Sequence, residues 1–127
     1  MFFFQLFRNN NISQSTISKY FVSYKFYFGY FSNFTQIKIV NILTSNQKEI
    51  EHNLNFLEDG QGGLLDILHK ENKIWISYTE NRGNSKTSTS IALANFDKKK
   101  LDFKNIFQAN PPINSGYHFG SRLAIKD

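Results

Sequence analysis

Leu64-Leu-Asp-Ile-Leu-His-Lys-Glu-Asn-Lys-Ile-Trp-Ile-Ser-Tyr-Thr-Glu80 is the stretch that decides the fold. Two apolar-rich runs, Leu64 to His69 and Lys73 to Thr79, flank the polar turn Lys70-Glu-Asn72. β-Branched and aromatic side chains fit a pleated surface, and so short a connection reverses the chain at once. The stretch reads as an antiparallel hairpin. Further along, Asn81-Arg-Gly-Asn84 is a second turn signal, Ser88 to Phe96 a third strand, Asp97-Lys-Lys99 a third turn, and Phe103 to Gln108 a fourth strand. Four strands with short connections make a meander, which is the content of one β-propeller blade. No helix is needed in this half.

Toward the N-terminus, Gln36-Ile-Lys-Ile-Val-Asn-Ile42 alternates, with Ile37 and Ile39 on the buried side. Lys48 to Glu51 is expected to pair back across a Ser45-Asn46 turn. Before residue 36 the order is lost. In Tyr20-Phe-Val-Ser-Tyr-Lys-Phe-Tyr-Phe-Gly-Tyr-Phe31, Tyr20, Tyr24, Tyr27 and Phe31 fit a helix, whereas Phe26, Phe28 and Tyr30 fit a strand. Residues 1–35 are therefore expected to be an irregular, aromatic-rich segment, and residues 36–127 the orderly part.

A chain of 127 residues can enclose one modest core. It is too short for a whole propeller, whose blades take roughly 40 to 50 residues each. Arg122-Leu-Ala-Ile-Lys-Asp127 reads as a strand that stops where a turn should begin, so a piece of a longer fold is expected. Fifteen Lys and Arg stand against ten Asp and Glu, a net charge of +5. Such a balance raises nucleic-acid binding, in which clustered cations release counterions from phosphates. The clustering is weak: Lys98-Lys99-Lys100 is the one run and falls in a turn, and only Arg8, Lys19 and Lys25 accompany the N-terminal aromatics. No nucleic-acid partner is expected. The absence of cysteine excludes disulfides, thiolate metal sites and cysteine nucleophiles. No apolar run approaches the roughly 18 residues of a membrane span. Met1-Phe-Phe-Phe-Gln-Leu-Phe7 lacks a basic start and is cut short by Arg8, which makes a poor signal peptide. Nothing in the sequence speaks to oligomeric state.

Two positions carry candidate chemistry. Gly62-Gly-Leu-Leu-Asp-Ile67 is echoed 58 residues later by Gly120-Ser-Arg-Leu-Ala-Ile125, a spacing of one blade plus its lead-in loop. Loops leading into successive innermost strands of a propeller meet on one face near the axis. Gln61 and His118 stand just before these two strand starts, so they are expected at the mouth of one pocket. Glycines beside both permit close approach of a ligand to the backbone. An imidazole titrates near pH 6.5 and suits a general base, although a loop histidine bonded to backbone is the plainer reading. His52 and His69 lack a partner at metal-ligand spacing. Asp66 alternates within a strand, and Glu58-Asp59 reads as solvated. Phosphate-binding, zinc-protease and hydrolase signatures are absent.

Asp59-Gly-Gln-Gly-Gly-Leu-Leu-Asp66 and Ser115-Gly-Tyr-His-Phe-Gly-Ser-Arg-Leu123 closely resemble two segments of the soluble aldose sugar dehydrogenases, the glucose/sorbosone dehydrogenase family. Ile74-Trp-Ile-Ser-Tyr-Thr-Glu80 and Ile106-Phe-Gln108 are similar in kind to strands of that family, so the resemblance spans about residues 36–127. It implies an all-β fold: a six-bladed propeller, of which this chain holds one full four-stranded blade plus parts of its neighbours. It also implies an enzyme that binds pyrroloquinoline quinone (PQQ), with calcium, and oxidises the anomeric hydroxyl of an aldose sugar to a lactone. By its His-x-x-x-Arg-Leu context, His118 would be the general base. Gln61 falls on a glutamine lining the substrate pocket. Tyr117 falls where some relatives have an aspartate, and is assigned as a sugar contact; Arg122 matches an arginine taken as structural. The quinone and calcium ligands are expected outside this chain, so the isolated chain is expected to be inactive. A periplasmic or secreted location follows from the same resemblance. The alternative is a non-catalytic propeller-type module that binds a protein or carbohydrate partner, as in the hedgehog-interacting proteins.

Overall fold

A computed structural model describes residues 2–4, 20–25, 37–41, 44–117, 119–120 and 122–126. Among them every regular element is a strand: β1 (Phe2–Phe4), β2 (Tyr20–Lys25), β3 (Ile37–Asn41), β4 (Gln47–Glu49), β5 (Glu51–His52), β6 (Leu64–Lys70), β7 (Lys73–Asn81), β8 (Thr87–Asn95), β9 (Lys100–Leu101) and β10 (Lys104–Gln108). The all-β expectation holds. The chain forms two compact units, Met1–Glu51 with Asp97–Lys100, and His52–Phe96 with Leu101–Asp127. The composition change at residue 35 falls inside the first.

The first unit contains a four-stranded antiparallel sheet in the order β1-β2-β3-β4. Ile37, Ile39 and Ile50 are buried, as the alternation around residue 37 requires, and Ser45 takes a left-handed φ of 57° in the connection to β4. Lys98 to Lys100 are exposed, in a turn where the Asp97 carboxylate accepts the Lys99 amide at 2.6 Å. One expectation needs correcting. The segment before residue 36 is not irregular throughout, because Phe2–Phe4 and Tyr20–Lys25 are strands. The reason is pairing: β2 matches β3 rung for rung from Tyr20–Asn41 to Tyr24–Ile37, and a ladder partner fixes a strand that periodicity alone leaves ambiguous.

The second unit is built on the expected meander, in the order β10-β8-β7-β6. Glu71 and Asn72, with φ of 57° and 88°, form the two-residue link between β6 and β7. Successive left-handed residues give that turn the twist of the strands it joins. The register sorts side chains onto two faces. Ile67, Ile74, Ile76, Ala92 and Ala94 share one face and are all buried. Burying each of the three isoleucines is worth roughly 1.5 to 3 kcal/mol. The other face carries Ser77, Thr79 and Thr87, small and fully enclosed, then the half-buried row Leu68, Trp75 and Leu93.

β7 and β8 have nine residues each, against seven in β6 and five in β10. Their surplus rungs are not left bare. The lead-in to β6 pairs with β7, Leu57 N donating to Thr79 O and Asn81 N to Asn55 O, each at 3.0 Å. Beyond β10, Ala109 N donates to Thr89 O at 3.0 Å, and Ile113 exchanges two bonds with Thr87. A second correction concerns the C-terminal stretch expected as a strand. Residues 122–126 have no strand conformation, because a strand needs a ladder partner and none of the described residues supplies one.

Candidate functional site

The first glycine-bordered loop is shaped by its own backbone. Gly62 N donates to Asp59 O at 2.7 Å, closing a tight turn, and Thr79 N donates to Gly63 O at 2.8 Å as the chain enters β6. Gly60 sits at φ +55°, and a Cβ there would collide with the Gly116 carbonyl. Both its conformation and its surroundings call for glycine. The second loop is held by its neighbours. Thr87 Oγ1 lies 3.4 Å from Ile113 O and 3.3 Å from Ser115 O, and Ser115 Oγ accepts the Tyr117 amide at 3.2 Å. A Cβ at Gly116 would stand 3.1 Å from Asp59 Cγ, so that glycine is there for space.

The two loops meet. Gln61 N donates to Gly116 O at 2.7 Å, which ties the residue at the centre of one motif to the neighbour of Tyr117 in the other. Gln61 and Tyr117 are both exposed, Tyr117 at 58 %. His118 and Ser121 lie outside the described residues, so the candidate base has its flanking loop defined but not its own placement. Arg122, expected to be structural, is exposed.

Asp66 is the residue that sequence reasoning passed over. Its Oδ1 accepts the amide of Ile67 at 2.9 Å and its Oδ2 accepts that of Leu123 at 2.8 Å, so one carboxylate joins β6 to the segment after the second loop. The signal was present, since Asp66 closes the first motif and Leu123 closes the second. The other two histidines are occupied structurally. His52 Nδ1 accepts the Leu54 amide at 3.4 Å and its ring lies 5.9 Å from that of Phe56. His69 meets the Phe96 ring edge-on at 5.4 Å, and burial holds it below the ordinary histidine value.

On the opposite face a second polar cluster forms around Glu80. Its carboxylate accepts Ser90 Oγ at 2.6 Å, Asn105 Nδ2 at 2.9 Å and Gln108 Nε2 at 2.7 Å, with Arg82 Nη1 at 3.9 Å. Tyr78 Oη donates to Asn105 Oδ1 at 2.7 Å. Burial pushes the Tyr78 hydroxyl above its ordinary value and the Glu80 charge adds to this, while the Asn105 bond and Arg82 oppose it. The cluster stitches β7, β8 and the exposed strand β10 together, and its acceptors are filled by those donors. Among the described residues no three His, Asp or Glu side chains are grouped to hold a metal ion.

A sequence profile described as glucose/sorbosone dehydrogenase matches residues 33–127. The chain is 35 % identical over 74 residues to the Escherichia coli (strain K12) aldose sugar dehydrogenase YliI, covering 52 % of this chain and 20 % of that protein. Two solved structures of glucose dehydrogenases share its fold over 68 % of this chain, with TM-scores of 0.63 and 0.64 at 23 % identity, and 28 % and 30 % of those chains are covered. The chain thus spans about a fifth of its curated relative and less than a third of these structures. With the profile covering both motif loops and the meander between them, the chain belongs to the glucose/sorbosone dehydrogenase family.

Proposed function

We propose that this chain is part of a sugar dehydrogenase that oxidises the anomeric hydroxyl of an aldose to a lactone, with His118 as general base and Gln61 and Tyr117 as sugar contacts. The observation that supports it is the Gln61 N to Gly116 O bond, by which the two family motifs share one edge of the meander. The meander is then one blade of a six-bladed propeller, and the two loops stand at neighbouring blades on the face where innermost strands begin.

Oxidation at the anomeric carbon removes a hydroxyl proton and a hydride. An imidazole next to Tyr117 takes the proton, since an ordinary imidazole, titrating near pH 6.5, is mostly unprotonated at neutrality. PQQ, paired with calcium, is the family's hydride acceptor. By the family resemblance, the side chains that would hold either group belong to parts of the enzyme outside residues 33–127. On this reading the chain's share of the chemistry is proton removal and sugar orientation, and the family resemblance places the protein in the periplasm or outside the cell.

The test is dye reduction with an aldose, PQQ and calcium. The isolated 127-residue chain should give no turnover. In the complete enzyme carrying these residues, His118→Gln should lower kcat by ~10²- to 10⁴-fold with little change in KM, the range lost when a positioned base is removed. Full activity in that variant would end the reading.

A further inference from the structure

Strand β6 contains one irregularity, and it decides where Asp66 points. Leu64 pairs with Tyr78 and Asp66 with Ser77, so two steps along β6 answer one step along β7, and Leu65 is the extra residue. In a regular ladder Asp66 would face Ile76 and project onto the aliphatic side. The bulge shifts it by one position, onto the side that carries Ser77, Thr79 and Thr87. The same shift lets Leu64 and Ile67, an odd number of residues apart, both be buried. A bulge costs a ladder position and re-aims the side chain that follows it.

The re-aimed carboxylate meets the backbone of the second motif. Asp66 Oδ2 accepts Leu123 N at 2.8 Å while Oδ1 accepts Ile67 N at 2.9 Å, so both oxygens are used. Hydrogen bonds to an ionised acceptor are about twice as strong as neutral ones. On the near side of His118, Gly116 O is fixed by Gln61 N and Ser115 O by Thr87 Oγ1. On the far side Leu123 N is fixed by Asp66. Ser115 and Gly116 before His118, and Leu123 after it, are therefore each bonded to the sheet or lead-in loop that carries Gln61.

We infer that Asp66 is a positioning residue for the His118 loop, acting through the Leu123 amide and not on the sugar itself. This rests on the proposed dehydrogenase reading for its catalytic consequence, while the tether stands on geometry alone. A base displaced by about 1 Å from its proton can cost up to ~100-fold in rate.

The experiment pairs a structural readout with a kinetic one. In the isotopically labelled 127-residue chain, Asp66→Asn should speed amide exchange at Leu123 at least tenfold and move the Gly116 and Tyr117 resonances, with Leu57 and Thr79 unchanged. In the complete enzyme, kcat per bound quinone should fall ~10- to 100-fold at constant KM. Leu123→Pro deletes the donor from the other side; it should lower kcat comparably, and adding Asp66→Asn should cost little more. Should Asp66→Asn prevent folding, Leu123→Pro alone carries the test. Unchanged Leu123 exchange, or unchanged kcat beside a slow His118→Gln enzyme, overturns the positioning role. An active His118→Gln enzyme instead overturns the dehydrogenase reading, so the two failures are distinguishable.

Discussion

The two glycine-bordered loops look alike in sequence and are held by different means. The first, around Gln61, is fastened to its own sheet by main-chain bonds: Leu57 to Thr79, Gly62 to Asp59, Thr79 to Gly63. The second, around Tyr117, is fastened mainly by what lies beneath it: the Thr87 hydroxyl, the Gln61 amide and the Asp66 carboxylate. One loop is shaped locally and serves as the platform. The other is a guest on it. Changes in the first should therefore spread to the second, while changes at the second's side-chain anchors should stay there.

Gly60→Ala is the strongest way to break that asymmetry. It places a Cβ at a left-handed φ and against the Gly116 carbonyl, so denaturant unfolding should show a loss of about 2 to 4 kcal/mol. Amide protection should fall at both Gln61 and Tyr117; a loss confined to residues 59–63 would mean the loops are not coupled. Thr87→Val comes next. It removes the hydroxyl near Ile113 O and Ser115 O but keeps the strand's own bonds, at a cost of ~1 kcal/mol. Exchange should quicken from Ser115 to Tyr117 and stay unchanged at Gly62 and Thr79.

The smallest effect sharpens the comparison by leaving both loops alone. His69 lies at the far end of β6, and burial lowers its pKa from 6.5. A depressed folded value means the unfolded chain takes up the proton first as pH falls. The neutral ring's contribution is complete above about pH 6.5 and is lost as pH drops through the folded value. Thermal melts from pH 7.5 to 5.5 should thus decline more steeply for the native chain than for His69→Gln. Parallel curves would remove His69 as the cause.

The meander was legible because its cues are local. Lys70-Glu-Asn72 and Asn81-Arg-Gly-Asn84 both proved to be tight turns with left-handed residues, and the strands between them fell within two residues of their expected bounds. The convergence of the two loops was legible through the repeated glycine context. What escaped depended on pairing. Tyr20–Lys25 has no decisive period and becomes a strand through β3, while Arg122 to Lys126 has strand-like composition and no ladder. Asp66 was read as one more alternating position, since periodicity assumes an unbroken register and the extra residue at Leu65 breaks it. Thr87 escaped for a related reason, because a hydroxyl at a strand start gives no sign of which carbonyl will lie beside it.

The overhang of the central hairpin has a mechanical consequence. Because Asn81 and Thr87 extend past β6 and β10 and dock the approaching chain on either flank, the hairpin acts as a gauge that sets how far both loops project. Removing two residues from each leg would retract both by about 7 Å together, keeping their mutual spacing. Projection and separation of the two loops are thus separate dials, the one turned by hairpin length and the other by the residues at Gly60 and Gly116.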